Sequence, residues 1–438
     1  MHSPQTSGSV NKHDQQQEHT SSYYAASVNE VTAYPVLEGA KSADVCVVGA
    51  GFTGVATALS VAERGFSVAL VEANRVGWGA SGRNGGQIIN GMSGLAKLRK
   101  KHGDGIADIL WDLRWRGNEI IYDRVEKYGI QCDLKSGYVE VAPKASQVSW
   151  FEEYAEERER HNHPFPYEVW DRDQTCETLG TDAFHGGFAC FRDGHVHPLN
   201  LCIGEARAAH ELGAQIFEQS PVVNIEHGER AKVRTAHGYV EADSVVLAGN
   251  AYSHLEPKQL SNLVFPAGSY ILATEPLSED LINEINPRDV AVCDVNEVVD
   301  YFRLSADKRL LYGGACNYSG RDPRSIKSYI LPRMLKVYPQ LKDVRIDFEW
   351  GGKIGVVLNR VITVGRTTKN VYYCQGYSGH GVCATHVMGE IMADAVSGTM
   401  ERYDLFADLE HMRIPGSQWI GNQIIALGML FYKMKDKL

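Results

Sequence analysis

Residues 44–72 read DVCVVGAGFTGVATALSVAERGFSVALVE, and this stretch decides the fold. Its first five residues, 44–48, are almost all apolar, as in a central strand of a parallel sheet. A glycine-rich turn follows, and residues 55–64 then carry small and apolar side chains at helical spacing. Residues 67–71 form a second apolar run that ends at Glu72. The pattern predicts a strand, a turn, a helix and a second strand closed by an acidic residue.

The turn between the first strand and the helix has the glycine spacing of a dinucleotide-binding site. Gly49 permits the tight turn, Gly51 lets the backbone approach a pyrophosphate, and Gly54 lets helix and strand pack closely. The helix N-terminus offers unpaired N–H groups and a partial positive charge to the phosphates. An acidic residue about 20 positions further on is placed to bind ribose hydroxyls. We therefore predict a dinucleotide bound by Gly49, Ala50, Gly51, Phe52, Thr53, Gly54, Glu72 and Ala73.

The segment after Glu72 distinguishes FAD from NAD. Residues 75–87 read RVGWGASGRNGGQ, a glycine-rich loop whose backbone can come close to a large ligand. An NAD-binding domain usually continues into another helix at this point, whereas such a loop suits a cofactor that extends from its pyrophosphate to a flavin ring. We therefore predict FAD, with further contacts from Gly79, Ala80, Ser81, Arg83, Asn84, Gly85, Gly86 and Gln87.

Motifs spread along the chain resemble those of one family. Glu72 and the loop of residues 79–87 resemble the D-amino-acid-oxidase-like FAD-dependent amine oxidases and, within them, the gamma-glutamylputrescine oxidases. The same group is matched by residues 18–27, 194–201, 248–252, 310–314, 375–382 and 402–407. The resemblance implies an α/β fold (α+β overall), with a Rossmann-like FAD-binding domain interleaved with a substrate domain built on a mixed or antiparallel sheet.

The resemblance also implies how the chain is divided. The predicted FAD-binding domain is discontinuous and takes residues 42–95, 195–256 and 350–415. The predicted substrate domain takes residues 96–194 and 257–349.

The two termini lie outside these domains. Residues 1–27 begin with a polar stretch rich in Gln, His and Ser, and we predict a mostly disordered leader. Residues 416–438 predict an amphipathic helix. It either packs on the body of the protein or lies on a membrane or partner surface, since lysines follow its apolar part.

Further cofactor contacts are implied by the resemblance. Residues 215–223 predict a strand, and the family holds the adenine at the end of this strand, where Val222 is the matching position. A strand at residues 245–249 leads to a small-residue turn that packs under the dinucleotide in the family. The residues of that turn are Ala248, Gly249 and Asn250.

A second strand, glycine turn and helix lies near the C-terminus. Residues 371–374 predict the strand, and residues 382–396 predict a long helix that ends before Gly398. In the family this turn lies over the flavin, where the helix dipole stabilises negative charge on the reduced ring. The predicted contacts are Gly376, Tyr377, Ser378, Gly379, His380, Gly381 and Val382.

The segments between the cofactor pieces have the composition of strands. Residues 138–141, 269–274, 299–304 and 309–313 predict a sheet that forms one wall of the active site, as in the resembled family. Tyr301 stands at about the position of a family tyrosine that covers the substrate, and Arg303 shares its face of the strand. Further candidates are Trp350, Lys353, whose charge would favour oxygen reduction, and His380.

The implied reaction is oxidation of gamma-glutamylputrescine or a similar amine, with O2 reduced to H2O2. Two alternatives stay open. One is an oxidase of a secondary or cyclic amino acid such as pipecolate or sarcosine, and the other is an FAD dehydrogenase that passes electrons to quinone. Residues 350–358 contain no cysteine at the position where some family members attach FAD, so we predict noncovalent binding.

Composition and charge limit the partners. The net charge of -10 argues against a nucleic-acid partner. Nine scattered cysteines, without zinc spacing, predict reduced thiols in a cytoplasmic protein and no metal site. No apolar run is long enough to span a bilayer. His195 and His197 have ligand spacing but no third ligand, which favours a structural turn, and residues 152–160 predict a solvated helix face.

Overall fold

The computed structural model describes residues 18–161, 163, 165–415 and 418–435. Its strands, numbered in chain order, are β1 (Gly39–Val48), β2 (Val68–Val71), β3 (Gln87–Ile88), β4 (Lys135–Val141), β5 (Tyr167–Trp170), β6 (Gly187–His195), β7 (Gln215–Phe217), β8 (Asn224–Glu226), β9 (Ala231–Arg234), β10 (Gly238–Leu247), β11 (Phe265–Thr274), β12 (Ala291–Asp294), β13 (Asp300–Leu304), β14 (Leu310–Asn317), β15 (Ile346–Val356), β16 (Thr363–Thr368) and β17 (Val371–Gln375). Its helices are α1 (Tyr23–Ala26), α2 (Phe52–Glu63), α3 (Leu95–His102), α4 (Ala107–Lys127), α5 (Ser149–Arg160), α6 (Arg172–Leu179), α7 (Pro198–Glu211), α8 (Pro257–Leu260), α9 (Glu279–Ile285), α10 (Ile326–Val337), α11 (Val382–Val396), α12 (Glu401–Ala407) and α13 (Gln418–Lys435).

The first sheet carries the predicted nucleotide-binding unit. Its strands lie in the order β16-β17-β10-β1-β2-β7, with β9 on β10 and β8 on β9. From β17 to β7 in this order, each strand is parallel to its neighbour. The carboxyl ends of β1, β2, β10 and β17 therefore share one edge. In open parallel sheets ligands bind at that edge. The predicted α/β fold is therefore confirmed, and both predicted strand–turn–helix units end there.

The second sheet forms the predicted wall. Its order is β15-β11-β14-β13-β12-β4-β6-β3, with β5 on β6, and every pair except β12–β4 is antiparallel. Strands β3 and β15 belong to this sheet, although the predicted boundaries place β3 and residues 350–356 of β15 with the FAD-binding part. The division into two discontinuous domains stays a prediction, with these two strands moved to the substrate side.

The strand predicted over residues 215–223 is shorter than expected. Strand β7 ends at Phe217, and the chain turns at Gln219, whose φ of 52° lies in the left-handed region. Pro221 follows and has no N–H to donate to a neighbouring strand. Val222 therefore lies in the connection before β8, packed against the core at the outer side of the first sheet.

The N-terminal segment is more ordered than its composition predicts. Residues 18–27 are described and include α1, which Ser22 caps by accepting the N–H of Ala25. Tyr23 and Tyr24 are buried, and the Tyr24 ring packs edge-on against Trp350. The predicted mostly disordered leader is therefore wrong for residues 18–27, because two buried aromatic rings anchor them. Residues 1–17 lie outside the described residues.

The C-terminal helix α13 packs on the body of the protein along one side, which is the first of the two arrangements that the sequence left open. Asn422 and Ile425 are buried, and Ile425 packs with Phe265 in a small core. Apolar side chains on its other side are exposed to solvent: Trp419, Ile420, Ile424 and Leu427. In the part of the chain that the structure describes, no helix is both long and apolar enough to cross a membrane.

Helices α2, α4, α7 and α11 pack together beneath the first sheet around a buried ionic cluster. Arg124 of α4 donates to Glu205 of α7 at 3.0 Å, and the other carboxylate oxygen of Glu205 lies 3.1 Å from Nε2 of His386 on α11. Glu205 and His386 are fully buried. Because an unpaired charge in such a place is costly, this cluster holds three helices in one arrangement.

Removing the central carboxylate should therefore destabilise the protein. Glu205→Gln leaves two cationic or polar partners without their counter-charge, and we expect a loss of about 3 kcal/mol in the free energy of unfolding. Glu119→Gln is the matched control, since Glu119 pairs with Arg116 of the same helix at the surface. It should cost no more than about 1 kcal/mol. Urea unfolding followed by circular dichroism measures both, and equal losses would contradict the structural role of the cluster.

Candidate active site

The turn after β1 requires two glycines, because backbone atoms lie close to the positions that their Cβ atoms would take. Gly49 has a φ of 101°, and a Cβ there would lie 3.1 Å from the carbonyl oxygen of Ala248. A Cβ on Gly54 would lie 1.8 Å from the carbonyl oxygen of Gly49. Helix α2 consequently begins directly against the strand, and its N-cap residue, Gly51, has no side chain to cap it. The first-turn N–H groups of α2 are thus placed to face a ligand.

Glu72 follows β2 and stands beside this turn. Its carboxylate accepts the N–H of Ala50 at 2.7 Å and the N–H of Asn74 at 2.9 Å. Burial raises the pKa of Glu72, with a contribution from the neighbouring Glu218 carboxylate. The carboxylate therefore lies at the edge of the first sheet where the predicted ribose would be bound, and Ala73 continues the same segment.

The loop of residues 79–87 wraps around the start of α2. Ala80–Gly82 form a turn of 3-10 helix, and Ser81 Oγ accepts the N–H of Phe52 at 2.8 Å. Asn84 donates to the carbonyl of Ser81 at 2.8 Å and accepts the N–H of Gly86 at 2.7 Å. The side chain of Asn84 therefore shapes the loop from within.

Two other side chains of this loop are bound to the protein. The Arg83 guanidinium donates to the carbonyl of Trp78 at 2.8 Å and lies 4.4 Å from the centre of its ring. Gln87 donates to the carbonyl of Val292 at 2.9 Å, so its side chain is engaged with the second sheet. Both backbone groups of Gly86 are also bound within the protein, its N–H to Asn84 and its carbonyl to the N–H of Val196. Contacts of Gly79, Ala80, Gly85 and Gly86 with a cofactor stay predictions.

The second glycine turn lies between β17 and α11. The N–H of Gly376 donates to Asn250 Oδ1 at 3.0 Å, which connects this turn to the turn that follows β10. That earlier turn begins with Ala248, whose N–H donates to Val48, and continues through Gly249. Helix α11 begins at Val382 with Gly381 as its N-cap residue, again without a side-chain cap.

The two turns are brought together by one hydrogen bond. The Thr53 hydroxyl donates to the Tyr377 hydroxyl at 2.7 Å, and both groups are buried. The N-termini of α2 and α11 therefore point into the same region, and neither is capped by its own N-cap glycine, although Ser81 accepts the first N–H of α2. This arrangement fits FAD, because one terminus can face the pyrophosphate while the other faces the flavin ring. The assignment of individual residues to FAD stays a prediction.

Tyr301 lies where the loop meets the second sheet. A Cβ on Gly85 would lie 2.7 Å from the ring of Tyr301, and one on Gly313 would lie 2.4 Å from it. The Tyr301 hydroxyl is 3.3 Å from Ser269 Oγ. Burial raises the pKa of Tyr301, so the phenol is protonated at neutral pH. The ring is therefore available as an uncharged wall beside the loop predicted to bind the flavin.

Two of the predicted substrate-side residues have other roles. The buried Arg303 guanidinium donates to the carbonyls of Gly85 at 2.6 Å and Val196 at 2.7 Å, and to the Tyr24 hydroxyl. Trp350 is buried and donates to the carbonyl of Arg83 at 3.0 Å. Both side chains fasten the 83–86 loop to the second sheet. Their place on the substrate side stays a prediction, and these hydrogen bonds were not predictable because strand patterning shows only the face on which a residue lies.

The last two candidate residues, Lys353 and His380, differ in whether the side chain is paired or exposed. The Lys353 ammonium lies 2.5 Å from Asp322 Oδ1, so its charge is paired. His380 stands at the end of the second glycine turn, and its side chain is exposed.

The histidine pair predicted to be structural has hydrogen-bonding roles in a turn. His197 Nδ1 accepts the N–H of Asn200 and caps α7, while His195 Nε2 lies 3.0 Å from the carbonyl oxygen of Asp289. Within the described residues, no group of three His, Cys, Asp or Glu side chains could hold a metal ion.

Sequence reasoning missed two residues near the site. Glu218 is fully buried after β7 and accepts the N–H of Val76 at 2.8 Å and Arg75 Nη1 at 3.1 Å. An acid after a short apolar strand, the pattern that identified Glu72, was a signal for it. Ser269, the partner of Tyr301, carried no such signal because its place depends on strand pairing.

The fold and the two glycine turns define an FAD-binding oxidoreductase. A family model described as FAD dependent oxidoreductase (DAO) matches residues 44–395, so the chain belongs to this family. The predicted FAD cofactor is thereby confirmed.

Individual proteins of known name agree with this family. The chain is 42% identical to the gamma-glutamylputrescine oxidoreductase of Escherichia coli, over 96% of this chain and 99% of the relative. It is 40% identical to the probable oxidoreductase OrdL of Haemophilus influenzae, over 96% of this chain and 98% of the relative. Glycine oxidase from Bacillus cereus has the same fold, with a TM-score of 0.68, 20% identity and coverage of 86% of this chain and 100% of that one.

The hydrogen bond between the two turns should contribute to cofactor affinity. Tyr377→Phe removes the hydroxyl that Thr53 contacts, and we expect FAD to bind about fivefold more weakly, ~1 kcal/mol. Tyr372→Phe on β17 is the control, because its hydroxyl has no hydrogen-bond partner among the described residues. Fluorescence titration of the apoprotein with FAD measures both affinities. Equal affinity in the two variants would contradict the role of this bond.

Proposed function

We propose that this enzyme oxidises gamma-glutamylputrescine or a similar amine that ends in an amino acid. The observation that carries the proposal is the 42% identity to a gamma-glutamylputrescine oxidoreductase across nearly the whole of both chains. The geometry supports it, because Tyr301 and Ser269 stand on the second sheet beside the loop predicted to bind the flavin. No metal is required for such a reaction.

The chain's own residues would bind and orient the amine. When bound, FAD would supply the redox chemistry by accepting a hydride, which is one proton with two electrons, from the carbon next to the amine nitrogen. The protein has to hold that carbon over the flavin and favour the uncharged amine. The uncharged Tyr301 ring suits this task, since it supplies a wall without a competing charge. Hydrolysis of the resulting imine of a primary amine would give an aldehyde and ammonia, and O2 would take up the two electrons together with two protons to become H2O2.

We further propose that FAD is held noncovalently and that the protein works in the cytoplasm. No disulfide joins any of the nine cysteines, all of which lie in the described part of the chain, and this suits a reducing compartment. Cys374 and Cys383 lie near the second turn, but both are buried and burial raises the pKa of each thiol. Denaturation followed by ultrafiltration should release the yellow colour, and colour retained on the protein would contradict noncovalent binding.

One observation keeps a second electron acceptor under consideration. The exposed apolar side of α13, with Trp419 and Leu427, is suited to contact with lipid. An enzyme docked in this way would pass its electrons to quinone in place of oxygen. Peroxide formed in equal amount to aldehyde under air supports the oxidase. Aldehyde without peroxide, together with binding to liposomes, supports the dehydrogenase.

The substrate is tested by anaerobic bleaching of the flavin absorbance. We expect gamma-glutamylputrescine to bleach it fastest among a panel with putrescine, spermidine, pipecolate, sarcosine and D-amino acids. Preference for pipecolate or sarcosine would instead favour the alternative oxidase of a secondary amino acid. If no amine bleaches the flavin, the proposed activity is wrong.

The role of Lys353 in the reaction with oxygen is tested by two variants. A nearby positive charge stabilises the negative charge that oxygen acquires, so Lys353→Met should slow reoxidation roughly tenfold and leave anaerobic reduction unchanged. Asp322→Asn removes the paired carboxylate and should make reoxidation faster, because the ammonium is then uncompensated. Stopped-flow mixing with oxygen measures both rates. If neither variant differs from wild type, Lys353 has no such role.

A further inference from the structure

One row of side chains crosses the inner face of the second sheet. Strand pairing places Phe188 beside Glu140, Glu140 beside Cys293, and Cys293 beside Tyr301. Neighbouring residues of a row point to the same side, and adjacent strands are about 4.8 Å apart. Glu140 and Tyr301 therefore share one face, with roughly 10 Å between their backbones.

The direction of Glu140 follows from its neighbours on β4. Val139 and Val141 are buried in the apolar core on the outer side of the sheet, together with Phe302. Since side chains alternate along a strand, Glu140 points inward, toward the side on which Tyr301 meets the flavin loop. Its side chain is only partly buried, so it borders an accessible space.

Glu140 has no partner of its own. Among the described residues, no donor lies within hydrogen-bond distance of its carboxylate and no cation lies within 4 Å of it. Burial, with the neighbouring Asp193 carboxylate, raises the pKa of Glu140 to about 7, while Arg114 and Arg158 lower it. A carboxylate left without a partner at such a depth costs free energy, which a cationic ligand would recover.

Arg158 is its counterpart of opposite charge. It lies on α5 and is 5% exposed, although the sequence predicts a solvated helix face for this stretch. Its guanidinium lies 4.7 Å from the ring centre of Phe188, the neighbour of Glu140 in the row, and 4.9 Å from that of Trp115. One N–H group donates to Cys190 Sγ at 3.4 Å. In the described chain, no carboxylate lies within 4 Å of Arg158, whereas Arg114 is paired with Glu157.

We propose that Glu140 and Arg158 form a subsite for the amino-acid end of the substrate. Glu140 binds the α-ammonium group, Arg158 binds the α-carboxylate, and the amine to be oxidised lies at Tyr301. The inference rests on the proposed function and specifies its substrate class as gamma-glutamyl amines. A zwitterionic end supplies an ammonium group to Glu140 and a carboxylate to Arg158, whereas a simple diamine leaves Arg158 without a carboxylate. The spacing along the row then selects a chain long enough to separate the two ends.

The test compares two substrates that differ only at this end. N-acetylputrescine keeps the amine and the amide of gamma-glutamylputrescine but has no zwitterionic group. Glu140→Gln should raise the KM for gamma-glutamylputrescine roughly ten- to hundredfold, as expected for loss of a charged hydrogen bond, and leave the KM for N-acetylputrescine unchanged. Glu126→Gln, an exposed carboxylate on α4, is the control and should change neither value. An unchanged KM for gamma-glutamylputrescine, or an equal rise for both substrates, overturns the subsite.

A second measurement separates the subsite from the oxidase activity. Gamma-glutamylbutylamide has the same amino-acid end but lacks the terminal amine at which oxidation is proposed, so its binding does not depend on turnover. Calorimetric titration of the FAD-bound protein should show binding to wild type that Glu140→Gln and Arg158→Lys each weaken at least tenfold. Equal binding to wild type and Glu140→Gln, or no binding to wild type, contradicts the subsite. If wild type binds this ligand, Glu140→Gln does not, and no amine is oxidised, then the subsite is supported and the proposed activity is wrong.

Discussion

The close approach of α2 and α11 is the constraint on which the cofactor site depends. A Cβ on Gly389 would lie 2.7 Å from the Cβ of Ala56, so the two helices pack almost backbone to backbone. Each helix begins at a glycine turn without a side-chain cap, and the N-termini converge at the edge of the first sheet. Both partial positive charges are therefore directed at one elongated anionic ligand. A larger residue at either contact would separate the helices and divide the site.

The second sheet supplies the other wall of the predicted active site, opposite the two glycine turns. Arg303 and Trp350 bind the carbonyl groups of Gly85 and Arg83, and so fix the loop of residues 79–87 against the sheet. Tyr301 is then held beside the loop by the fit of its ring over Gly85. Arg303 and Trp350 thus hold the loop in place. The uncharged ring of Tyr301 is left where the amine is expected to react.

The buried charges of the protein differ in how they are compensated. Arg124, Glu205 and His386 satisfy one another inside a helix bundle. Glu140 and Arg158 lie next to the same ring and yet form no contact with each other. Buried charges are usually paired because desolvation is costly, so a separated pair beside the reactive face indicates a place for a ligand with both charges.

The sequence by itself determined those features that depend on neighbours along the chain. The helix predicted at residues 382–396 begins and ends where the structure has it, because a glycine turn and Gly398 bound it. The pattern at residues 44–72 likewise determined the first nucleotide-binding unit, since each of its signals acts within a few residues.

Tertiary structure alone decided which distant residues meet. The sequence placed Arg303 and Tyr301 on one face but could not show that Arg303 is occupied by carbonyl groups of the flavin loop. Glu140 and Arg158 read as ordinary charged residues of a strand and a surface helix. Their place beside the reactive face follows from the pairing of β4 with β12 and β6, strands far apart in sequence. Such pairing arises from packing of the whole core, and no local pattern encodes it.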